Sequence, residues 1–226
     1  MTTHLLVRMH GPSTDTAQEV ANASSHGLAL LAACLATPKL LEAALPLGGR
    51  AHNGVVVFAA TMLLLYGAST VYHALPSGRA KQLLLKLDHA AIYLFIAGSY
   101  TPFALSQPSS PQSAVTLVLV WAAAAAGFLM KTLTRDGSTL WSTGLYVAMG
   151  WLVLLAALPL IKTMPPLGSA WLVIGGAAYT MGVVFYTMDS AVRYAHAVWH
   201  ACVAAGTTCH VFAMLSVLAQ AAPLRR

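Results

Sequence analysis

Charged residues are scarce in this sequence: Asp, Glu, Lys and Arg together fill 8% of its 226 positions, and only six residues are acidic. An average soluble domain carries about 25% charged residues. Hydrophobic residues account for 58% of the chain. This composition is typical of membrane proteins and leaves no room for a large soluble domain.

Three other features are rare or absent. The three cysteines, Cys34, Cys202 and Cys209, form no CxxC pair, so we expect buried thiols rather than a disulfide framework. The twelve Lys and Arg residues are scattered instead of forming a basic stripe, so nucleic acid is not an expected partner despite the net charge of +6. Residues 1–25 lack the apolar core of a signal peptide, and we expect a short polar arm there.

The chain is rich in long apolar runs. A helix needs about 20 mainly apolar residues to cross a hydrocarbon core of about 30 Å. Such runs occupy roughly residues 24–44, 53–74, 84–105, 114–131, 140–161, 167–188 and 197–220. We therefore predict an all-α polytopic membrane protein, with a seven-transmembrane helix bundle over residues 24–222 and a polar arm over residues 1–23. The first run is the weakest, because Pro38, Lys39 and Glu42 interrupt it, and an interfacial helix is the alternative there.

The positive residues favour one orientation of this bundle. With the amino terminus in the cytoplasm, the inner segments carry seven of the twelve Lys and Arg residues and the outer segments carry five. Because positive residues are enriched on the cytoplasmic side, we predict that the amino terminus lies inside and the carboxyl terminus outside. The end of the second run and the starts of the third and seventh runs then share the cytoplasmic side.

Polar side chains gather at these three helix ends. Ser69 and His73, in "ASTVYH", are four residues apart and therefore lie on one helical face. Asp88 lies near the start of the third run, in "KLDHAAIY". The seventh run opens with "HAVWH", in which His196 and His200 are one turn apart. Reversing the protein in the membrane would move the whole cluster together.

The histidines of this cluster have the spacing of metal ligands. A pair at i and i+4 presents two nitrogens about 5 to 6 Å apart, which a single metal can bridge, and His73 can supply a third ligand from a facing helix. Three neutral imidazoles with an open fourth position are typical of catalytic zinc, which lowers the pKa of a bound water to about 7. We therefore predict Zn²⁺ at His73, His196 and His200. The alternative is a packing role, since HxxxH is a common pattern and the Glu of the HExxH protease motif is absent.

Asp88 is the second indication of a site. An ionisable group inside a span costs about 2.5 to 3.5 kcal/mol, which a nearby cation would offset. Its carboxylate could then accept a proton from metal-bound water or orient a histidine ligand. Alternatively, Asp88 caps the third helix or pairs with Lys86 or Arg79. Among the other histidines, His210 is predicted to be a core residue bonded to a backbone group or hydroxyl, and only His26 is placed to reach the bundle.

Taken in order, "ASTVYH", "LDHAAIYLFIAGSYTPF" and "HAVWH" followed by "GTTCHVFAML" resemble the hemolysin III family, the bacterial branch of the progestin and adipoQ receptor superfamily. The resemblance extends from "EVANASSHG", around Glu19 and His26, to the end of the last run. One departure is the Ser in "NASSHG", where relatives often carry Thr.

The resemblance implies a seven-helix bundle with an intramembrane zinc held by His73, His196 and His200. It also implies that Asp88 lies near the metal-bound water and that Ser69 lines the site. Relatives in the wider superfamily with reported ceramidase activity suggest amide hydrolysis in a lipid. The family name itself derives from a pore-forming, haemolytic activity.

The leading hypothesis is a zinc-dependent hydrolase that acts on a membrane lipid amide or ester, with Asp88 and Ser69 as catalytic residues. A second hypothesis is a receptor or transducer in which the zinc is structural. A pore would have to be built from several copies, because the ionisable residues gather near one face instead of continuing through the midplane. Haem ligation by a histidine pair is a fourth alternative.

Overall fold

The regular structure of this protein is helical throughout the part of the chain that can be described. A computed structural model describes residues 15–106, 111–133 and 139–221. In these residues, seven α-helices follow one another: α1 (Thr16–Ala44), α2 (Gly49–Ala74), α3 (Arg79–Ser106), α4 (Pro111–Leu133), α5 (Thr139–Ile161), α6 (Pro166–Thr187) and α7 (Ala195–Ala221). A 3₁₀ turn, Leu45–Leu47, joins α1 to α2. The prediction of an all-α protein is confirmed.

Six of the seven helices are long and apolar enough to cross a membrane: α1 with the turn that follows it, α2, α3, α4, α6 and α7. The apolar stretch described in α5 is shorter, over residues 143–153. The fold is therefore that of a polytopic membrane protein, and the count of seven spans stays a prediction. Pro38 lies inside α1 without ending it, and the 32-residue segment that contains it has the length of a span.

The first helix begins at Thr16, well before the start predicted near residue 24. The Asp15 carboxylate caps this end by accepting a hydrogen bond from the Ala17 backbone N–H at 3.1 Å. The polar residues that follow contact other helices, so the helix extends beyond the apolar run that marks it in the sequence. The predicted boundary at residue 23 thus falls inside α1, while residues 1–14 of the predicted arm and residue 222 lie outside the described part.

The helices form a ring in which each packs against its neighbours in sequence and α1 also packs against α7. α3 contacts α2, α4, α5 and α7. Its seam with α2 is close because glycines stand where side chains would collide: a Cβ on Gly54 would lie 2.8 Å from Pro102 Cα, and one on Gly98 would lie 2.0 Å from Thr61 Oγ1. Small residues permit this approach of two membrane helices.

The cysteines only partly match the expectation of buried thiols. Cys209 is buried, Cys202 is half-buried and Cys34 is exposed. Cys34 lies on a face of α1 that also exposes Leu31 and Leu35. An apolar helix face that would be costly in water is favourable against lipid, so an exposed thiol in this position follows from the membrane setting.

Candidate metal centre

The carboxyl-terminal end of α2 presents two of the predicted residues. Ser69 and His73 are both buried, with exposures of 0% and 5%. Lys81, at the start of α3, supports this end by donating hydrogen bonds to the backbone carbonyls of Tyr72 at 3.1 Å and Leu75 at 3.0 Å. Carbonyls in the last turn of a helix have no partner within the helix, so the ammonium fixes the turn that carries His73.

The amino-terminal end of α7 presents the other two histidines. Tyr194, just before the helix, has a left-handed backbone with φ of 64°, and its N–H donates to the Gln18 side chain at 3.3 Å. Arg193 makes an ion pair with Asp15 next to this contact. The start of α7 is thus attached to the first turns of α1, directly before His196.

The three predicted metal ligands meet between α2 and α7. His73, His196 and His200 each offer a nitrogen, and these atoms all lie within 4.8 Å of one another. Among the described residues, this is the one group of three or more His, Cys, Asp or Glu side chains with such an arrangement. The rings lie edge to face, with centroids 5.1 Å apart for His73 and His196 and 4.6 Å apart for His196 and His200. The cluster is therefore able to bind a metal ion.

Each of the three rings is held at Nδ1 by an acceptor. The Nδ1 atom of His73 lies 2.7 Å from Glu19 Oε2, and that of His196 lies 3.0 Å from Asp189 Oδ2. The Nδ1 atom of His200 lies 3.2 Å from the Asn22 backbone oxygen, which also accepts a hydrogen bond from the neighbouring Ser25 hydroxyl. Because these partners accept hydrogen bonds, they place the proton of each neutral imidazole on Nδ1.

The Nε2 atoms of the same three rings are buried and have no hydrogen-bond partner. A buried nitrogen without a partner is costly, and three of them side by side call for an explanation. Metal-bound histidines have this pattern, since the second ring nitrogen donates to a carboxylate or carbonyl and the first keeps a lone pair for the ion. The arrangement of donors and acceptors thus fits a divalent cation.

Asp88 and Ser69 lie next to this cluster. Asp88 is 3% exposed and lies near Ser69, whose buried hydroxyl has no hydrogen-bond partner. Asp88 is in the third turn of α3, because the helix begins at Arg79 rather than near residue 84, so it does not cap the helix. The cluster of potential ligands consists of the three histidines without Asp88. The carboxylate is therefore placed to act beside a metal.

Two cavities flank the cluster. An apolar cavity of about 500 Å³ lies among α3, α5, α6 and α7 and reaches Asp88 and His26. Apolar and aromatic side chains such as Ile92, Phe95 and Trp199 line it. A polar cavity of about 570 Å³ lies between the start of α1 and the end of α2, and its wall includes Glu19, Ser24, His73 and Lys81. The site therefore has an apolar side and a polar side.

His210, predicted to be a core residue with a hydrogen bond, is buried on the wall of the apolar cavity. Its ring lies edge-on to Tyr179, with the centroids 5.2 Å apart. Its Nδ1 atom has no hydrogen-bond partner, so burial is confirmed and a bond at that nitrogen is not.

Reasoning from the residues alone missed the partners of the histidines: Glu19, Asn22, Ser25 and Asp189. Three of them belong to the first turns of α1, which were assigned to an arm or to the start of a span. A usable signal is that Asp15, Glu19, Asn22 and His26 recur at intervals of three to four residues, which places them on one helical face.

A family model described as "Haemolysin-III related" matches residues 14–211. The chain belongs to the haemolysin III family. The matched region includes every residue of the site described in this section, from Asp15 to His210. The resemblance noted in the sequence is thereby confirmed.

Curated relatives of this haemolysin III family member match most of its length. The "Hemolysin-3 homolog" of Bacillus subtilis (strain 168) is 35% identical over 199 residues, 88% of this chain and 93% of the relative. "Hemolysin-3" of Bacillus cereus is 33% identical over 202 residues, 88% of this chain and 90% of the relative. The human "Monocyte to macrophage differentiation factor" is 27% identical over 167 residues, 72% of this chain and 69% of that protein.

Proposed function

We propose that this haemolysin III family member is a zinc-dependent hydrolase that cleaves an amide or ester bond in a membrane lipid. The observation that carries the proposal is the set of three buried Nε2 atoms without partners, which lies next to an apolar cavity. The first feature is suited to a metal and the second to an acyl chain.

Zinc is the ion that best suits the three histidines. Among the common biological divalent cations, zinc binds neutral imidazoles well, whereas magnesium and calcium prefer oxygen ligands. A zinc ion held by three histidines supplies a Lewis acid that polarises a carbonyl group and acidifies a water molecule.

The chain's own residues supply the proton chemistry. The Asp88 carboxylate would take a proton on one of its oxygens and later give it to the leaving group. The Ser69 hydroxyl, buried next to Asp88, would orient the carboxylate by donating a hydrogen bond to it. Both side chains lie on helices that pack closely, α2 and α3, so their relative position is fixed by the scaffold.

The apolar cavity would bind the hydrocarbon part of the substrate. Burial of apolar surface contributes about 25 cal/mol per Å², so a long acyl chain gains several kcal/mol in a cavity of this kind. The hydrolysable bond would then lie at the end of the cavity near Asp88. We place the protein in the bacterial inner membrane, with the site toward the cytoplasm.

The proposal is tested on purified protein in detergent. We expect about one zinc per chain by elemental analysis, and hydrolysis of a fluorescent ceramide or acyl ester that stops after chelation and returns with added zinc. Bound zinc that raises the melting temperature without any hydrolysis across an amide and ester panel would reject the hydrolase and favour a receptor with structural zinc.

The Bacillus cereus relative is named "Hemolysin-3", which suggests pore formation as a second candidate function. Protein reconstituted into dye-loaded vesicles would release dye if several copies assembled into a pore. Dye release independent of zinc, together with inactivity on every lipid, would favour that function over hydrolysis.

A further inference from the structure

His26 occupies the border between the metal cluster and the apolar cavity. It lies on α1, is 2% exposed and is part of the cavity wall. Its ring stacks on that of His200 with centroids 3.5 Å apart and planes 12° from parallel. The edge of the Tyr66 ring packs against it, with centroids 5.1 Å apart. These contacts hold the imidazole in one orientation.

Neither ring nitrogen of His26 makes a hydrogen bond. The His200 backbone carbonyl lies near the ring, but outside hydrogen-bond geometry. This distinguishes His26 from the three metal-cluster histidines, each of which has a partner at Nδ1. A buried imidazole with two unsatisfied nitrogens is unfavourable, so a partner from outside the chain is expected.

The position of His26 indicates what this partner is. The cavity wall is mainly apolar, although several hydroxyl groups and His210 also line it. His26, which stacks on His200, and Asp88 are the polar groups at the end near the metal cluster. A ligand in the cavity would therefore be mainly hydrocarbon, with its polar group next to His26. The ring is stacked parallel to His200, so the two rings cannot both direct a lone pair at one metal ion.

We propose that His26 donates a hydrogen bond to the carbonyl oxygen of the lipid amide or ester that occupies the cavity. The identity of this ligand rests on the proposed function. A neutral imidazole has one N–H donor, and a carbonyl oxygen is the acceptor that amides and esters share. In a mainly apolar cavity, such a bond orients the ligand because the alternative is an unsatisfied buried pair. His26 is thus a substrate-binding residue in addition to the ligands and Asp88.

A purely structural role for His26 would be to support the His200 ring by stacking. The two roles separate in His26→Phe, which keeps an aromatic ring of similar size and removes the donor. His26→Gln removes the aromatic ring and keeps an N–H donor. A matched control is His52→Phe, at the start of α2, which lies 21 residues before His73 and about 30 Å from it along the helix.

The experiment measures binding of two fluorescent probes to zinc-loaded protein in detergent by stopped flow, so that the binding signal is read before the ceramide is hydrolysed. One probe is a ceramide with a labelled acyl chain, and the other is its uncharged ether analogue, in which –O–CH₂– replaces the –NH–CO– of the amide. We expect the wild-type protein and His52→Phe to bind the ceramide about tenfold more tightly than the analogue. His26→Phe should bind both probes equally while keeping zinc and melting temperature, and His26→Gln should recover part of the preference.

Two results would overturn the proposal. One is a wild-type preference for the ceramide that persists in His26→Phe, or no such preference in the wild-type protein. The other is loss of zinc in both variants, which would assign His26 to the support of His200. Because binding is measured apart from turnover, a protein that prefers the carbonyl through His26 but hydrolyses nothing would retain this inference and reject the hydrolase.

Discussion

At the residue scale, the most important feature is that the two ring nitrogens of each cluster histidine have different surroundings. The Nδ1 atoms of His73, His196 and His200 are held by acceptors from α1 and from the α6–α7 connection, while the Nε2 atoms are buried without partners. The three polar contacts at Nδ1 thus orient the lone pairs of the three Nε2 atoms. An arrangement of this kind predicts that the partners of the ligands affect metal affinity almost as the ligands do.

Glu19 provides the clearest test, because its carboxylate contacts both His73 and Lys81. We expect Glu19→Ala to weaken zinc binding about 10- to 100-fold in a competition with a chelator. Glu42→Ala is the control, since Glu42 is an exposed carboxylate on the same helix. Equal zinc affinity of the two variants would show that the Glu19 contact does not orient His73.

Asp88 separates catalysis from structure. Asp88→Asn keeps the shape of the side chain and removes the base, so we expect hydrolysis to fall by about 10² to 10⁴ with zinc still bound. Metal content, melting temperature and turnover are measured on this one variant. Full turnover would remove Asp88 from the mechanism, and loss of zinc would make it a ligand or an anchor of α3.

The sequence predicted the cluster of three histidines because His73 and the HxxxH pair stand near the ends of recognisable apolar runs. It did not predict their partners, because Asn22 and Ser25 are 178 and 175 positions away from His200 in the chain. No local pattern pairs such distant residues. The sequence showed that His26 is placed to reach the bundle. It did not show that His26 stacks on His200, because this contact depends on how α1 packs against α7.

At the element scale, the α2–α3 seam sets the distance between His73 and Asp88, and glycines set the seam. We expect Gly54→Ala to destabilise the protein by about 1 to 3 kcal/mol, because its Cβ would meet the Pro102 backbone at 2.8 Å. Gly67→Ala on the same helix should be neutral or stabilising, since nothing lies within 4 Å of its Cβ position and alanine favours the helix. Thermal unfolding in detergent measures both. Equal melting temperatures would show that the seam can widen.

The helix boundaries show where hydrophobicity alone is a sufficient guide. The predicted run at 140–161 agrees closely with α5, Thr139–Ile161, and the run at 167–188 agrees with α6, Pro166–Thr187, because these helices are apolar to their ends. The starts of α1 and α3 were placed too late. In both helices the first turns carry polar and charged residues, among them Glu19 and Lys81, that contact other helices instead of solvent. Because these residues lower the mean hydropathy of the first turns, that quantity cannot distinguish the turns from a loop.

At the scale of the whole molecule, a metal at the cluster joins α2 to α7, near the beginning and the end of the bundle. Zinc that binds only the native state, at about 1,000 times its dissociation constant, adds about 4 kcal/mol of stability. We therefore expect chelation to lower the melting temperature by on the order of 10 °C, and the double change of His196 and His200 to Ala to abolish this response. Unchanged metal content in the double variant would refute the site.

Orientation is also a property of the whole chain. We expect a reporter fused at Arg226 to lie outside the cytoplasm and a reporter inserted at residues 76–78, between α2 and α3, to lie inside. The opposite result would invert the bundle and place the metal cluster toward the outer side. Equal sidedness of the two reporters would contradict seven spans, because an odd number of crossings separates the positions.

The attachment of α1 to the start of α7 has a consequence for biosynthesis. The ribosome makes Glu19 and Asn22 first and His196 and His200 last, at about 5 to 20 residues per second. The finished histidine trio therefore exists only after nearly the entire polypeptide has been translated and inserted. Truncated products that end before α7 lack two of its three imidazoles, so a metal that needs all three can bind only after α7 has been made. Among the described helices, α7 is made last, and it completes the cluster.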